Sequence, residues 1–223
     1  PRVSNGGTSY AFTIRKGYRF NTGAPVTAQS FADALNRDAS PRLQSPAQAF
    51  LTDVVGADDV LNGRAATISG VVVDGDTLTI KLVKPGPDLL ARLAMPFFQA
   101  IDSVLAKNIT PDGVDTYSSC GPYYFSARTP NRSVTLKRNP YYKGTRPANP
   151  DVIQMNIGNS LETIYQNTLS NKTDYGTAPP AEWSSIAKKF GINKKDGQLQ
   201  VRSELAISYA ALNRAMPLYK NNP

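Results

Sequence analysis

The sequence predicts an α/β chain whose first part is a mixed α+β subdomain. Short stretches of alternating apolar and polar residues, which are typical of strands, recur along its 223 residues. Between them lie stretches with apolar residues at helical spacing, several of which begin at a Ser, Thr or Pro suited to a helix N-terminus. These two patterns favour a globular protein in which helices pack on sheets.

Residues 12–37 combine a strand, a turn and a helix. Apolar residues at positions 10, 12 and 14 alternate with other residues and predict a strand with one buried face. The segment 21–25, Asn-Thr-Gly-Ala-Pro, predicts a turn. Thr27 then has the place of an N-cap, and a helix is predicted from Ala28 onward.

The middle of the chain predicts two helices and a hairpin. Ser45 and Pro46 indicate the start of a second helix that ends at Gly56, and a short helical turn is predicted at 58–61. Residues 68–73 and 77–83 predict a hairpin, and a helix with a stripe of leucines follows Pro85 and Pro87. The hairpin residues expected to face the core are Leu78, Ile80 and Leu82.

The remainder predicts alternating strands and helices after a polar crossing at 111–119. A hairpin is expected from strands that begin near 121 and 134, and a third strand at 152–157. Helices are predicted at 160–171, where Ser160 is the N-cap, and at 180–190. Short strands are predicted at 174–176, 199–203 and 207–212.

Composition limits the possible functions. The chain has one cysteine, Cys120, and no histidine, so no intramolecular disulfide, Ser-His-Asp triad or usual zinc cluster can form within it. The net charge of +8 comes from scattered basic residues, which favours a solvated surface over a nucleic-acid stripe. We therefore expect no catalytic residue, no metal site, no cofactor and no nucleic-acid partner.

The residues in the 12–37 stretch carry a specific resemblance. They follow the pattern F-x-L/I-R-x-G-x-x-F/W-x-x-G-x-P-V-T-A, and on this basis the chain resembles the family 5 extracellular solute-binding proteins of ABC importers, which bind peptides, dipeptides or nickel. The matching positions are Phe12, Ile14, Arg15, Gly17, Phe20, Gly23, Pro25, Val26, Thr27 and Ala28.

Two further segments match the same family in the same order. The hairpin corresponds to the family segment G-V-x-x-x-D-x-x-T-L-x-I-x-L at Gly70, Val71, Asp76, Thr77, Leu78, Ile80 and Leu82. The second half contains G-P-Y-x-F followed by L-x-R-N-P-Y-Y, where the family has G-T-G-P-Y-x-(L/F) followed by L-x-R-N-P-x-Y-W/Y; Ser119 and Cys120 replace the usual Gly-Thr of the family. The positions of this third match are Gly121, Pro122, Tyr123, Phe125, Leu136, Arg138, Asn139, Pro140, Tyr141 and Tyr142.

The resemblance implies an incomplete lobe of the type II periplasmic-binding-protein-like fold. Residues 1–116 would be the α+β subdomain of the first lobe, and residues 117–223 the α/β part that leads to a second lobe. The N-terminus has no apolar signal-peptide region and the chain contains no apolar run long enough to span a membrane. We expect the sequence to begin inside the first lobe and to stop before the second.

The resemblance also implies a function. The protein would be an extracytoplasmic receptor, periplasmic or a cell-surface lipoprotein, that captures an oligopeptide or other small solute and delivers it to ABC permease subunits. Two lobes would close on the ligand. Carried over to this sequence, the implied ligand contacts are Ala47, Gln48, Ser118, Ser119, Cys120, Ser208 and Tyr209.

Other functions stay open at this point. Within the same family the ligand could be a metal chelate, a sugar or another small molecule, and Ala47 lacks the ring that peptide-binding relatives can carry there. A basic nucleic-acid-binding module would require a surface stripe of Lys and Arg. A hydrolase would require two carboxylates within roughly 10 Å in a pocket.

Overall fold

The computed structural model describes residues 1–111, 114–195 and 197–203. The chain divides into two compact units, one formed by Pro1–Gly158 and one that begins at Asn159. The boundary predicted between residues 116 and 117 falls inside the first unit, between its two antiparallel sheets, and stays a prediction. Among the described residues, none of the helices has the length and hydropathy that crossing a bilayer would require.

The first sheet has four antiparallel strands in the order β1-β2-β4-β3. In β2, Phe12 pairs with Leu78 of β4, and the hairpin of β3 and β4 turns at Gly75 and Asp76. The predicted strand at 10–14 and the predicted hairpin are thus confirmed. The strand bounds are β1 Arg2–Ser4, β2 Ser9–Thr13, β3 Val71–Asp74 and β4 Thr77–Lys81.

Helix α1, Ala28–Ala39, covers this sheet. Thr27 precedes it in extended backbone, and its N–H donates to Ser30 Oγ at 3.3 Å, which confirms the predicted start. Small residues on the buried face let the helix approach the strands closely. The main core formed in this way includes Tyr10, Ala28, Ala32, Leu35, Ala39, Leu51, Val54, Ile68, Leu78, Ile80, Leu82 and Leu89.

The segment after α1 differs from its prediction. Ser45 is an N-cap whose Oγ accepts from Ala47 N at 3.2 Å, but the helix is a 3-10 helix that ends at Phe50. Val54 instead forms a bridge with Leu82, and Val55 N donates to Lys81 O at 2.9 Å. Pairing with the C-terminal end of β4 therefore replaces a second helix as far as Gly56.

Three short α-helices and one 3-10 helix complete this region. The helical turn expected at 58–61 is α2, and the helix expected after Pro87 is α3, although Leu90 on it is exposed. A 3-10 helix, Pro96–Phe98, and α4 return the chain to α1, where Ile101 N donates to Ser30 O at 3.1 Å. The helix bounds are α2 Ala57–Leu61, α3 Leu89–Leu93 and α4 Ser103–Lys107.

The second sheet has three antiparallel strands in the order β5-β6-β7. The predicted hairpin and third strand are confirmed, and a register shift between Phe125 and Ala127 interrupts β5. Tyr117 forms a bridge with Phe125 and stacks on it at 5.3 Å between ring centroids. The bounds are β5 Tyr123–Thr129, β6 Ser133–Arg138 and β7 Val152–Asn156.

The second unit contains two described helices. In α5, Leu161–Leu169, the side chain of Ser160 accepts from Thr163 N at 3.1 Å, as predicted. A 3-10 turn, Pro180–Glu182, leads into α6, Trp183–Phe190. The strands predicted at 174–176 and 199–203 are wrong, since no strand forms there. The strand predicted at 207–212 lies outside the described residues.

Candidate functional site

Ser118, Ser119 and Cys120, three of the predicted contact residues, lie on the loop 118–121, here called the central loop. Ser119 N donates to Asn21 Oδ1 at 2.9 Å, and Asn21 N donates to Ser119 O at 3.1 Å. Asn21 belongs to the turn that precedes α1, a turn in which Gly23 has a φ of 86°. The reciprocal bonds therefore attach the central loop to the turn that the sequence singled out.

Asn139 holds the other side of the central loop. Its side chain is buried, and Nδ2 donates to both Ser119 O and Gly121 O at 3.0 Å. Its Oδ1 accepts from Tyr141 N at 2.9 Å, and its own N–H donates to Pro122 O at 2.9 Å. Every polar group of this amide side chain is thus satisfied by backbone, which fixes the loop at the start of β5.

The hydroxyl of Ser119 accepts a hydrogen bond within the loop and can also donate one to a ligand. Its Oγ accepts from Gly121 N at 3.0 Å, so it satisfies the turn before the Gly-Pro-Tyr strand. A hydroxyl that accepts one bond still carries a proton that it can donate. Ser119 is half-buried, and a ligand carbonyl or carboxylate is the kind of acceptor that its free proton suits.

The central loop separates two cavities. Cys120 lines an apolar cavity of about 440 Å³, and Ser118 lines a more polar one of about 400 Å³. Ser118 and Cys120, two predicted contact residues of the same loop, therefore line two different cavities.

The more polar cavity lies between the turn at Asn21 and the start of β5. Its walls carry the side chains of Asn21, Thr22, Ser118 and Tyr117, which offer amide and hydroxyl groups. Such groups can hydrogen-bond a polar backbone, whereas most side chains of the apolar cavity cannot. The remaining lining residues are Asp102, Val104, Leu105, Asn108, Val114, Thr116, Tyr124, Phe125 and Ser126.

Cys120 is a half-buried thiol packed against a small cluster of Phe20, Val26 and Ala100. Burial raises the pKa of this thiol, so at neutral pH it is protonated. Its environment is that of a packing residue, because the thiolate rather than the thiol is the nucleophile.

The other predicted contact residues lie elsewhere. Ala47 is completely buried in the main core, and Gln48 Nε2 donates to Ser40 O at 2.9 Å. Neither lines the two cavities beside the central loop. Ser208 and Tyr209 lie outside the described residues. The ligand contacts expected of all four stay predictions.

Two residues that organise the loop were absent from the predicted set. Asn21 and Asn139 make most of the bonds that hold Ser119, yet each was interpreted as part of a turn or motif only. A signal was available, because Asn139 lies inside the matched Arg138–Tyr142 segment and Asn21 beside the conformationally special Gly23.

Two carboxylates do meet in the first unit, around Arg92. Its guanidinium makes paired bonds of 2.7 and 2.8 Å to Asp53 and contacts Asp88 at 3.1 Å. The hydrogen bonds from Arg92 lower the pKa of Asp53, which keeps that carboxylate ionised. A hydrolase needs a carboxyl that can donate a proton, so this cluster suits an ion pair that holds α3 in place.

No metal centre is apparent in residues 1–111, 114–195 and 197–203. Within those ranges no group of three or more His, Cys, Asp or Glu side chains could hold a metal ion. The adjacent Asp58 and Asp59 are exposed, and Asp59 pairs with Arg64 at 2.9 Å. They form a solvated pair at the start of α2.

Comparison with known proteins identifies a family and a set of relatives. Residues 1–222 match the family described as bacterial extracellular solute-binding proteins, family 5 Middle. The chain is 27% identical over 222 residues to the oligopeptide-binding protein OppA of Bacillus subtilis, covering 97% of this chain and 40% of OppA. It is 26% identical over 232 residues to the probable deoxycholate-binding periplasmic protein YgiS of Escherichia coli, covering 98% of this chain and 41% of YgiS.

The fold is also that of solved relatives. The structure of Listeria monocytogenes OppA bound to peptide superposes with a TM-score of 0.70 at 20% identity, covering 88% of this chain and 39% of that one. At this level of identity the similarity concerns the fold. The chain spans about 40% of the length of the relatives that it matches.

Proposed function

Because the chain belongs to the bacterial extracellular solute-binding proteins, family 5, we propose that it is part of the substrate-binding component of an ABC importer and that its ligand is a peptide. The match over residues 1–222 is the observation that carries the proposal. The names of relatives such as the Bacillus subtilis oligopeptide-binding protein support a peptide as the ligand.

The central loop supplies the ligand contacts in this proposal. Hydrogen bonds from Asn21 and Asn139 hold the backbone of the central loop, so the Ser118 and Ser119 side chains start from fixed Cα positions. A peptide offers carbonyl oxygens along its length, and a hydroxyl proton directed at one of them forms a hydrogen bond worth about 1 kcal/mol net. Pre-formed donors reduce the ordering that binding must otherwise impose.

The complete protein adds the remaining steps. We propose that a second lobe closes over the peptide and that closure presents a surface to permease subunits in the membrane. Ser208 and Tyr209 are proposed contacts on the segment that leads to that lobe. The place of action is proposed to be extracytoplasmic, either periplasmic or on the cell surface.

A second candidate is a non-peptide small molecule bound by the same family architecture. One relative of nearly the same identity is named a probable deoxycholate-binding protein, so relatives at this distance do not share one ligand name. The apolar cavity lined by Cys120 also favours a ligand with an apolar part.

The test uses the complete protein and calorimetric titration with a defined tripeptide. Ser119→Ala and Tyr209→Ala, made separately, should each weaken binding by roughly 1–3 kcal/mol, about five- to 150-fold, if a buried bond is lost. Ser4→Ala, at an exposed position of β1, serves as the matched control. Thermal unfolding of the unliganded variants separates lost contacts from lost stability. Unchanged affinity in both variants would remove the two residues from the site, and no peptide binding at all would refute the peptide proposal.

A further inference from the structure

The apolar cavity beside the central loop has the dimensions of a ligand pocket. Its volume of about 440 Å³ lies within the roughly 300–1,000 Å³ typical of small-molecule sites. Strand residues of the first sheet form its floor, and α1 and the Phe98 turn form its walls. The lining side chains are Phe12, Thr13, Ile14, Arg15, Tyr18, Val26, Phe31, Leu35, Leu78, Ile80, Leu93, Phe98 and Cys120.

One end of this cavity is polar and cationic. Arg15 follows the end of β2 and is an exposed lining residue, so it marks the side that opens to solvent. The Arg15 guanidinium carbon lies 5.5 Å from the ring centroid of Tyr18, which holds the cation beside the opening. Among the described residues no carboxylate pairs with Arg15, in contrast to the neighbouring Lys16, whose Nζ lies 2.6 Å from Asp76.

The charge pattern of the lining selects one kind of occupant. None of the lining residues is acidic, and Arg15 is the only basic one. Guanidinium groups bind carboxylates through paired, charge-assisted hydrogen bonds. The aromatic and aliphatic walls favour an apolar body in contact with them.

We propose that this cavity binds the apolar body of a small amphipathic carboxylate and that Arg15 binds its carboxylate at the opening. Two kinds of molecule combine an apolar body with a carboxylate in this way: a free apolar acid, and a peptide whose C-terminal residue is apolar. The inference goes beyond peptide capture, because the pocket is built by residues 12–120 of the first unit and holds either source.

Cys120 gives this proposal a specific readout. It is the only cysteine of the chain and it lines the cavity. Cys120 is half-buried, so a small uncharged reagent such as N-ethylmaleimide, used at alkaline pH where more of the thiol ionises, reports whether an occupant of the cavity covers it. Mass spectrometry of the intact chain then counts modification at one known site.

The experiment follows the rate of Cys120 modification in the full chain with decanoate, decanol, Ala-Ala-Phe and the C-terminal amide of that tripeptide as probes. Decanoate or Ala-Ala-Phe should slow modification, and the matching probe without a carboxylate should require an about tenfold higher concentration for the same protection. Protection by decanoate alone assigns a free acid, and protection by Ala-Ala-Phe alone assigns a peptide terminus. No protection by any probe would overturn the proposal.

Matched variants test the assigned roles. Arg15→Gln should remove the advantage of each carboxylate probe over its partner without a carboxylate, whereas Lys16→Gln, which removes the same charge one residue away, should leave it intact. Equal effects of the two variants would overturn the role of Arg15. Because decanoate protection does not require a peptide, failure of tripeptide calorimetry leaves this test unaffected.

Discussion

The four-stranded sheet buries one face under α1, whereas no residue of the three-stranded sheet is buried. Leu78 and Ile80 of β4 are 5% and 1% exposed, while every residue of β5, β6 and β7 is half-buried or exposed. The second sheet is held instead by polar anchors such as Asn139. The first region thus depends on apolar burial and the second on hydrogen bonds, and the central loop belongs to the second.

The largest contrast should come from equivalent isoleucine truncations in the two sheets. Ile80→Ala should lower the free energy of unfolding by about 2–5 kcal/mol, because a completely buried side chain leaves a cavity. Ile153→Ala on β7 should cost about 1 kcal/mol, since its side chain already contacts water. Urea unfolding of both variants gives the comparison. Equal losses would show that the second sheet has an apolar core of its own.

Ion pairs allow the same comparison. Asp53 and Arg92 have side chains only 16% and 13% exposed, so Asp53→Asn leaves a mostly buried cation and should cost about 3 kcal/mol. Arg138 and Asp151 in the second region are 43% and 86% exposed, and Asp151→Asn should cost less than about 1 kcal/mol. Thermal unfolding at low salt measures both. A larger loss for Asp151→Asn would reverse the proposed contrast.

The pH dependence sharpens this contrast. Arg92 lowers the pKa of Asp53, so the pair adds stability above the ordinary carboxyl pKa of about 4 and loses it as the pH falls through the lowered value. The stability gap between wild type and Asp53→Asn should therefore narrow below about pH 4. Burial raises the pKa of Asp38, so the effect of pH on stability through Asp38 runs in the opposite direction to that through Asp53. The Asp38 effect is the same in wild type and in Asp53→Asn, so it does not change the gap between them. Chemical denaturation at a series of pH values tests this, and a constant gap would contradict it.

The smallest of these effects concerns the polar anchor. Asn139→Ala removes both donors to the central loop and the acceptor to Tyr141 N, and should cost about 1–3 kcal/mol. Asn156→Ala at the exposed end of β7 makes the same chemical change as a control. Amide hydrogen exchange should increase at Ser119 and Gly121 in the first variant alone. Unchanged exchange there would mean that the turn at Asn21 is sufficient to hold the loop.

Local sequence patterns correctly predicted the elements whose formation depends mainly on neighbouring residues. The alternation before Gly17, the cap at Thr27 and the hairpin around Gly75 each depend on a few neighbouring residues, and each prediction is confirmed. The match of three segments to one family is likewise confirmed over residues 1–222.

Long-range contacts explain what the patterns could not predict. A second helix as far as Gly56 fits the local spacing, but Val54 gains a partner in Leu82 that no short window reveals. Asn21 and Ser119 are 98 residues apart, so their bonds have no local signature. The apolar cavity is a matter of how side chains fill space, and a sequence pattern identifies which residues are buried without specifying the gaps between them.

The outer edge of β7 gives the chain a route to assembly. Among the described residues no strand pairs with that edge, and Val152, Met155 and Ile157 along it are exposed. A strand edge with free backbone groups and apolar side chains is a template on which another extended chain can add as a further strand. We therefore expect self-association of the chain to increase with its concentration, and this edge offers one place where it can begin.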